Sequence, residues 1–318
     1  MALSDMVVFN TQVQKVATEV IAQAIMKFNE ASNNTLIMGG SDVIGDYLEE
    51  ASYKLIAGLA QRRNAYGSGA VAPTPIGQIQ KNSVKVDGRI GPVSWDSTQF
   101  RRLGKSEEEA GLVIGEQAAA GMLQDQLNTI LMCLKAAISG NAGLVHDGTA
   151  STLNLSSLNS GKAKFGDRSQ AISAWVMHSK SSHDLVGDAI SNANRLFTVG
   201  DLNVYDTGLG RPIIVTDAPA LITSGTPDNY HTLGLVQSAG VVEVTNGLSS
   251  IAVPKAGDEN ISVVWQGEYD FTVGMLGYGW DKANGGASPN NAALGTSTNW
   301  DKTATSDKDT AGVIITSL

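Results

Sequence analysis

The stretch from Ala65 to Gly104 limits what this chain can fold into more than any other part of it. It holds Gly67, Gly69, Pro73, Pro75, Gly77, Gly91 and Pro92 and few core-sized side chains. Within it Ser83-Val84-Lys85-Val86 alternates, Asp87-Gly88 supplies a two-residue turn, and Arg89-Ile90 begins a return strand, a pattern that predicts a β-hairpin. Pro92 makes the return strand an edge. The hairpin has no obvious apolar face, and a two-stranded ribbon alone is marginal in water. With ~18 residues each way it would reach roughly 60 Å at ~3.3 Å per residue. Such an arm needs another surface to lie on; a loose surface loop is the plainer alternative.

Helical periodicity flanks this segment. Val13, Val16, Val20, Ala24 and Phe28 predict an amphipathic helix over 11–30, ended by Asn33-Asn34. A second helix is expected over 42–63, capped by Ser41 or Asp42, with Ile44, Tyr47, Leu48, Ala51, Leu55 and Leu59 as its stripe. A long third helix runs from Ser106, as N-cap, to Gly140, with Leu112, Leu123, Leu127, Ile130, Leu134 and Ile138 on one face. Gly111, Gly115 and Gly121 predict a bend in its first half.

Beyond it, strands and helices mix. A polar loop covers 149–161, Ala174–His178 reads as a buried strand, and a helix covers 181–192. Arg211–Val215 and Leu233–Val244 read as strands, which together predict a compact α+β domain. Ile261, Val263, Trp265, Tyr269, Phe271, Val273 and Met275 alternate in the clearest strand pair, interrupted at Gly267. The tail from Lys282 is rich in small and polar residues and holds one last strand at Val313-Ile314-Ile315.

Composition excludes several functions. The 318 residues suffice for about two domains. A charged share of 17% and 35 glycines suit a protein that covers much of its surface with partners, and equally a β-rich extracellular protein. The net charge is −9, and the densest basic spots are the pairs Arg62-Arg63 and Arg101-Arg102, too sparse to grip DNA through its phosphates. Cys133 is the only cysteine, so neither an intrachain disulfide nor a multi-cysteine zinc site is expected. It falls in an apolar helical pattern and reads as a buried thiol. The N-terminus does not read as a signal peptide, and no run approaches the ~20 apolar residues of a membrane span. A soluble, reducing compartment is the expectation.

Catalytic patterns are weak. Ser238-Ala239-Gly240 lacks the first glycine of a nucleophile elbow. Gly104-Lys105-Ser106 imitates the end of a P-loop, but Gln99 stands where its first glycine belongs. Gly67-Ser68-Gly69 is followed by Pro73 and Pro75 where a dinucleotide-binding helix would begin. His146-Asp147 and His183-Asp184 are isolated pairs, and Asp301, Asp307 and Asp309 fit no standard calcium spacing. Neither an enzyme, a cofactor nor a metal is expected.

The order of parts resembles the major capsid proteins of tailed bacteriophages with the Hong Kong 97-type fold. Gly210-Arg211-Pro212-Ile213-Ile214-Val215-Thr216-Asp217 is similar to a strand of that family's axial domain. Gly257-Asp258-Glu259, Tyr269–Gly274, Gly277-Tyr278-Gly279-Trp280, Asn299–Lys302 and Lys308–Val313 are similar to its closing strands. The resemblance implies an α+β capsid fold: N-terminal arm and helices over 1–64, an extended β-hairpin loop over 65–105, a spine helix in a peripheral domain over 106–149, an axial domain over 150–245, and a return to the peripheral domain over 246–318. It further implies hexamers and pentamers of the chain itself, an icosahedral virion shell assembled in the host cytoplasm, and a scaffolding protein, a portal and a decoration protein as partners. The shell would enclose double-stranded DNA without sequence-specific binding and would touch no membrane. Intersubunit contacts would fall on Lys81, Lys85, Arg89, Trp95, Arg101 and Arg102, with Lys85 and Arg89 flanking the hairpin turn. Some family members cross-link loop lysines to asparagines, and Lys81 and Lys85 hold the matching positions. The rival readings are a cellular nanocompartment shell of the same fold and, in a different class, a β-rich surface adhesin.

Overall fold

The computed structural model describes residues 3–40, 43–54, 56, 60–96, 107–192, 211–257 and 259–318. The expected caps Ser41, Asp42 and Ser106, the P-loop-like Gly104-Lys105-Ser106, and Gly210 and Asp258 lie outside them.

Helix α1 (Leu3–Ala31) fully buries Phe9, Val13 and Ala17. It lies along α2 (Glu107–Ser139), which runs unbroken through Gly111, Gly115 and Gly121. Two of those glycines let the helices touch. A Cβ on Gly111 would come 3.1 Å from the Phe9 carbonyl oxygen, and one on Gly115 would come 3.0 Å from that of Val13. Because residue 9 meets 111 and 13 meets 115, the helices run parallel. The buried face of this half is therefore Gly111, Gly115, Ala118, Ala119 and Met122, while Leu112, expected inside, is 46% exposed. Past the C-terminal end of α1, Asn33 and Asn34 take φ of 54° and 52°, a conformation asparagine tolerates better than most residues. The Asn29 amide then bonds both backbone groups of Met38, at 2.7 and 2.9 Å, and so fastens β1 (Leu36–Gly40) to the helix.

The first sheet is built around β10 (Ser262–Met275). It pairs antiparallel with β9 (Gly240–Lys255) on one side and β3 (Gln78–Asp96) on the other. Strand β1 joins β9 in parallel, β2 (Tyr47–Tyr53) joins β3, and β11 (Tyr278–Trp280) and β12 (Trp300–Lys302) extend the far end. Val263, Trp265, Tyr269, Phe271, Val273 and Met275 alternate inward along β10 and are all buried, as the period of two predicts.

Two expectations fail here. The helix over 42–63 is replaced by β2 and an irregular stretch. Gly45 sits at φ +91° within the expected helix, a conformation a helix cannot contain, and Ile44 of its stripe is 96% exposed. The hairpin turn at Asp87-Gly88 does not form either: β3 passes straight through it. Gly88 instead faces Tyr269, whose ring lies so close across the strand that a Cβ would come 2.2 Å from it. The glycine makes room for an aromatic ring rather than for a turn. The irregularity falls at Gly91-Pro92, where two residues of β3 are taken up between Trp265 and Gly267 and Gly91 has φ +84°, as in a β-bulge.

The second sheet has the order β4 (Val145–Gly148), β13 (Gly312–Ser317), β8 (Asn229–Val236), β5 (Ile172–Met177), β6 (Ile213–Val215), with β7 (Ile222–Thr223) on β8. Helices α3 (Leu155–Ala163) and α4 (Ser179–Asn192) accompany it, so a helix occupies much of the expected 149–161 loop. The stretch read as one strand from Leu233 to Val244 is two: β8 ends, Ser238 turns at φ 56°, and β9 enters the first sheet. Sheet membership also crosses the divisions expected at 149/150 and 245/246, since β4 and β13 flank the strands between them.

The segment after β11 is anchored despite its loop-like composition. Trp280 and Trp300 meet edge-on with centroids 4.7 Å apart. Their indole N–H groups donate to the Gly286 and Leu294 carbonyls, each at 2.9 Å, through α5 (Lys282–Gly285) and α6 (Asn291–Leu294).

Replacing Gly88 with Val will cost about 1–3 kcal/mol in urea unfolding, because the Tyr269 ring has to move. Gly247→Ala, where no atom lies within 4 Å of the added methyl, will stay within about 0.5 kcal/mol of the parent. At the junction of α2 with the second sheet, His231 bonds Thr223 through Nε2 at 2.8 Å and Thr316 through Nδ1 at 3.2 Å. Burial, and then the Lys135 ammonium, lower its pKa from 6.5 to about 4. A lowered pKa means that the unfolded chain binds the proton first, so stability is full above pH 6.5 and falls as pH drops toward 4. His231→Gln will remove about 3 kcal/mol of that acid sensitivity, read as the difference between the two proteins' unfolding midpoints at neutral and acid pH.

Candidate functional site

The longest run of exposed residues among those described lies between β2 and β3. The two strands pair from Tyr47 opposite Val84 to Tyr53 opposite Gln78, and the Lys54 N–H donates to the Gly77 carbonyl at 2.8 Å. The ladder is braced by Gln80 on Glu49 at 2.8 Å, by Lys81 near Glu50 at 3.8 Å, and by Lys282, which bonds Glu49 and lies over the Tyr47 ring. Beyond it the described residues turn at Asn64–Gly67, where the Tyr66 N–H donates to the Asn64 side chain at 3.0 Å. Every residue from 60 to 76 is exposed. Tyr66 is 99%, Val71 84% and Ile76 67% accessible. Ordering a residue costs about 1–2 kcal/mol of backbone entropy, and no buried side chain over 60–76 offsets it.

An arm therefore exists, but its tip lies near Tyr66 and not at Asp87-Gly88. The signals for it were Gly67, Gly69, Pro73 and Pro75, which the sequence placed at the base of the expected hairpin. Of the residues expected at contacts, Lys81 stands on the ladder with its side chain 26% exposed. Lys85 does not flank a turn: it lies 3.2 Å from Asp270 of its own chain, both side chains 16% exposed. Arg89 is exposed and sits opposite Glu268 on β10. Trp95 is buried inside the chain against Phe9, ring centroids 5.3 Å apart. Arg101 and Arg102 lie outside the described residues. The structure thus brings Lys81 to the arm and Lys85 and Arg89 to the adjoining sheet.

The remaining chemical candidates are engaged elsewhere. Burial raises the Cys133 pKa, as expected of a core thiol. Asp147 accepts from Thr149, and Asp184 pairs with Lys180 at 2.8 Å. Asp307 is held by Lys302 and Asn141, and Asp309 by Arg168. Hydrogen bonds from Lys302 and Asn141 hold the Asp307 carboxyl below the usual carboxylate range. Among the described residues no helix is long and apolar enough to cross a membrane.

The protein-family model described as major capsid protein 13-like matches residues 5–314. Comparison with curated protein sequences found no match. Among solved structures, the cyanophage Pam1 capsid asymmetric unit contains a similar chain with a TM-score of 0.54 and 13% identity, covering 86% of this chain and 84% of that one. The capsid of the Myoviridae phage XM1 gives 0.52 and 11%, covering 90% of each chain. The capsid of Ralstonia phage GP4 gives 0.51 and 12%, covering 91% and 90%. At such identities the structural likeness speaks for the fold alone, whereas the family model spans nearly the whole sequence. The arm, the long α2 and the two sheets are thus those of a shell-forming subunit, and the chain belongs to the Gp13-like family of major capsid proteins.

Proposed function

We propose that copies of this chain close into an icosahedral shell of hexamers and pentamers around double-stranded DNA, each copy laying its arm on a neighbour. The exposed stretch over 60–76 is the observation that carries this reading. Tyr66, Val71 and Ile76 stand exposed in their own protomer, and an unpaired extended segment is a template for contact with another chain. One sequence fits both ring sizes through small rigid-body adjustments at heterologous interfaces. In this reading the second sheet acts as the axial domain and the α1–α2 pair with the first sheet as the peripheral one. Lys81 and Arg89 are the contact residues best exposed for the purpose, and Arg101 and Arg102 join them.

The net charge of −9 supports enclosing DNA without reading it, since phosphate contacts require clustered cations. The subunit catalyses no reaction in this account and takes no cofactor. The same reading extends to assembly in the host cytoplasm with a scaffolding protein, around a portal and under a decoration protein. Replacing residues 55–76 with an Asn-Gly turn, which suits a two-residue hairpin, will leave a folded monomer by circular dichroism and sedimentation. Electron microscopy with scaffold present will show closed shells from the parent chain and none from the shortened one. Shells of parental size and yield from the shortened chain would sink the arm's role.

A further inference from the structure

We propose that the peptide bond between Arg63 and Asn64 is a processing site, cut by a trypsin-class endopeptidase in the free subunit and sheltered from it in the shell; the sheltering rests on the shell reading above. Arg62-Arg63 is the only adjacent pair of basic residues among those described. An enzyme of this class seats one basic side chain in an acidic pocket and needs several residues on either side free to extend along its cleft. Residues 60–66, which would fill that cleft, are all exposed and lie in no helix or strand. Exposed tips of this kind are where nicking concentrates. Neither guanidinium is engaged by a carboxylate among the described residues. Just past the bond, the Tyr66 and Gly67 N–H groups donate to Asn64 at 3.0 and 3.3 Å, in a turn open to solvent.

Other basic residues are harder to reach. Lys15 and Lys27 lie within α1, Lys135 within α2, and Lys81, Lys85 and Arg89 within β3. Lys54 is tied through its N–H to Gly77 at the end of the β2–β3 ladder. Cutting beside any of these requires paired backbone to open first. At Arg63 hydrolysis adds one water across the bond and leaves a carboxylate on Arg63 and an ammonium on Asn64. The severed N-terminal piece stays in place. It holds α1, with Phe9, Val13 and Ala17 fully buried. It also holds β1, paired with β9 from Leu36 to Gly40, and β2, paired with β3 from Tyr47 to Tyr53. The nick therefore alters the arm and not the core. One connected loop becomes two loose ends, each with more conformational freedom to lose on docking. A cut subunit is thereby a poorer shell member, while a neighbour lying against the arm of an assembled one bars the enzyme.

The test is limited digestion of the full-length protein with trypsin, read by mass spectrometry. The free subunit will yield two first fragments, 1–63 and 64–318, which will co-elute on native sizing and separate only in denaturant. Arg62→Gln with Arg63→Gln, its circular dichroism unchanged, will slow the first cleavage of the chain about tenfold, because the next basic sites sit in paired backbone. In shells assembled with scaffold the Arg63–Asn64 bond will survive about tenfold longer than in the free subunit, since only an opened segment is cut. Nicked subunits offered to scaffold will give about tenfold fewer shells than intact ones, because their loose ends have more to lose on docking. A first cut at any other bond of the free subunit, or an unchanged rate in the double variant, overturns the site and leaves the shell reading untouched. Equal cutting of shells and free subunits, or normal shells from nicked ones, overturns the sheltering and with it the arm's role in assembly.

Discussion

Strand β10 is hydrogen-bonded on both flanks for most of its length, and the first sheet can exist only around it. Its inward side chains, from Val263 to Met275, join the core beneath α2, while α1 rests on the neighbouring β9 and β1. Each large side chain buried in this way stabilises the fold by about 1.5–3 kcal/mol. The Tyr269 hydroxyl adds a directional tie, donating to Asp125 of α2 at 2.7 Å, and burial there raises its pKa. Strand β3 is held where β10 puts it, and the arm springs from β3. A rigid base for an otherwise unsupported segment is thus set by one central strand.

The sequence made the periodic parts legible. The alternation along β10, the stripe of α1, the long α2 and the last strand at residues 312–317 all express one buried face each, which a spacing of two or of three to four residues reveals. It misled where local chemistry had a second use. Asp87-Gly88 looks like a turn, yet Gly88 is there because the Tyr269 ring crosses it, a contact between residues far apart in sequence. Gly45 and the exposed Ile44 spoil a helical stripe that otherwise counts well over 42–63. Gly111 and Gly115 read as weaknesses of a helix, but they are the points at which another helix touches it.

The candidate site was legible as a need more than as a location. Composition over 65–104 marked a segment unable to build a core, which holds for its first part, over 65–76. Its second part, over 78–96, is instead well-paired sheet. That shift of about twenty positions moves Lys85 and Trp95 from the expected periphery to contacts within the chain. The tail from Lys282 shows the converse: small and polar residues read as loose, while two tryptophans and their indole hydrogen bonds pin the segment down.

Strand β13 lies between β4 and β8, so an interior strand of the second sheet comes from residues 312–317. Among the described residues strand β4 pairs in that sheet with β13 and with no other strand, so losing β13 would strip residues 145–148 from the sheet together with 312–317. A segment far along the sequence thereby secures the one that directly follows α2, and any lesion in the former is felt as a loosened edge in the latter.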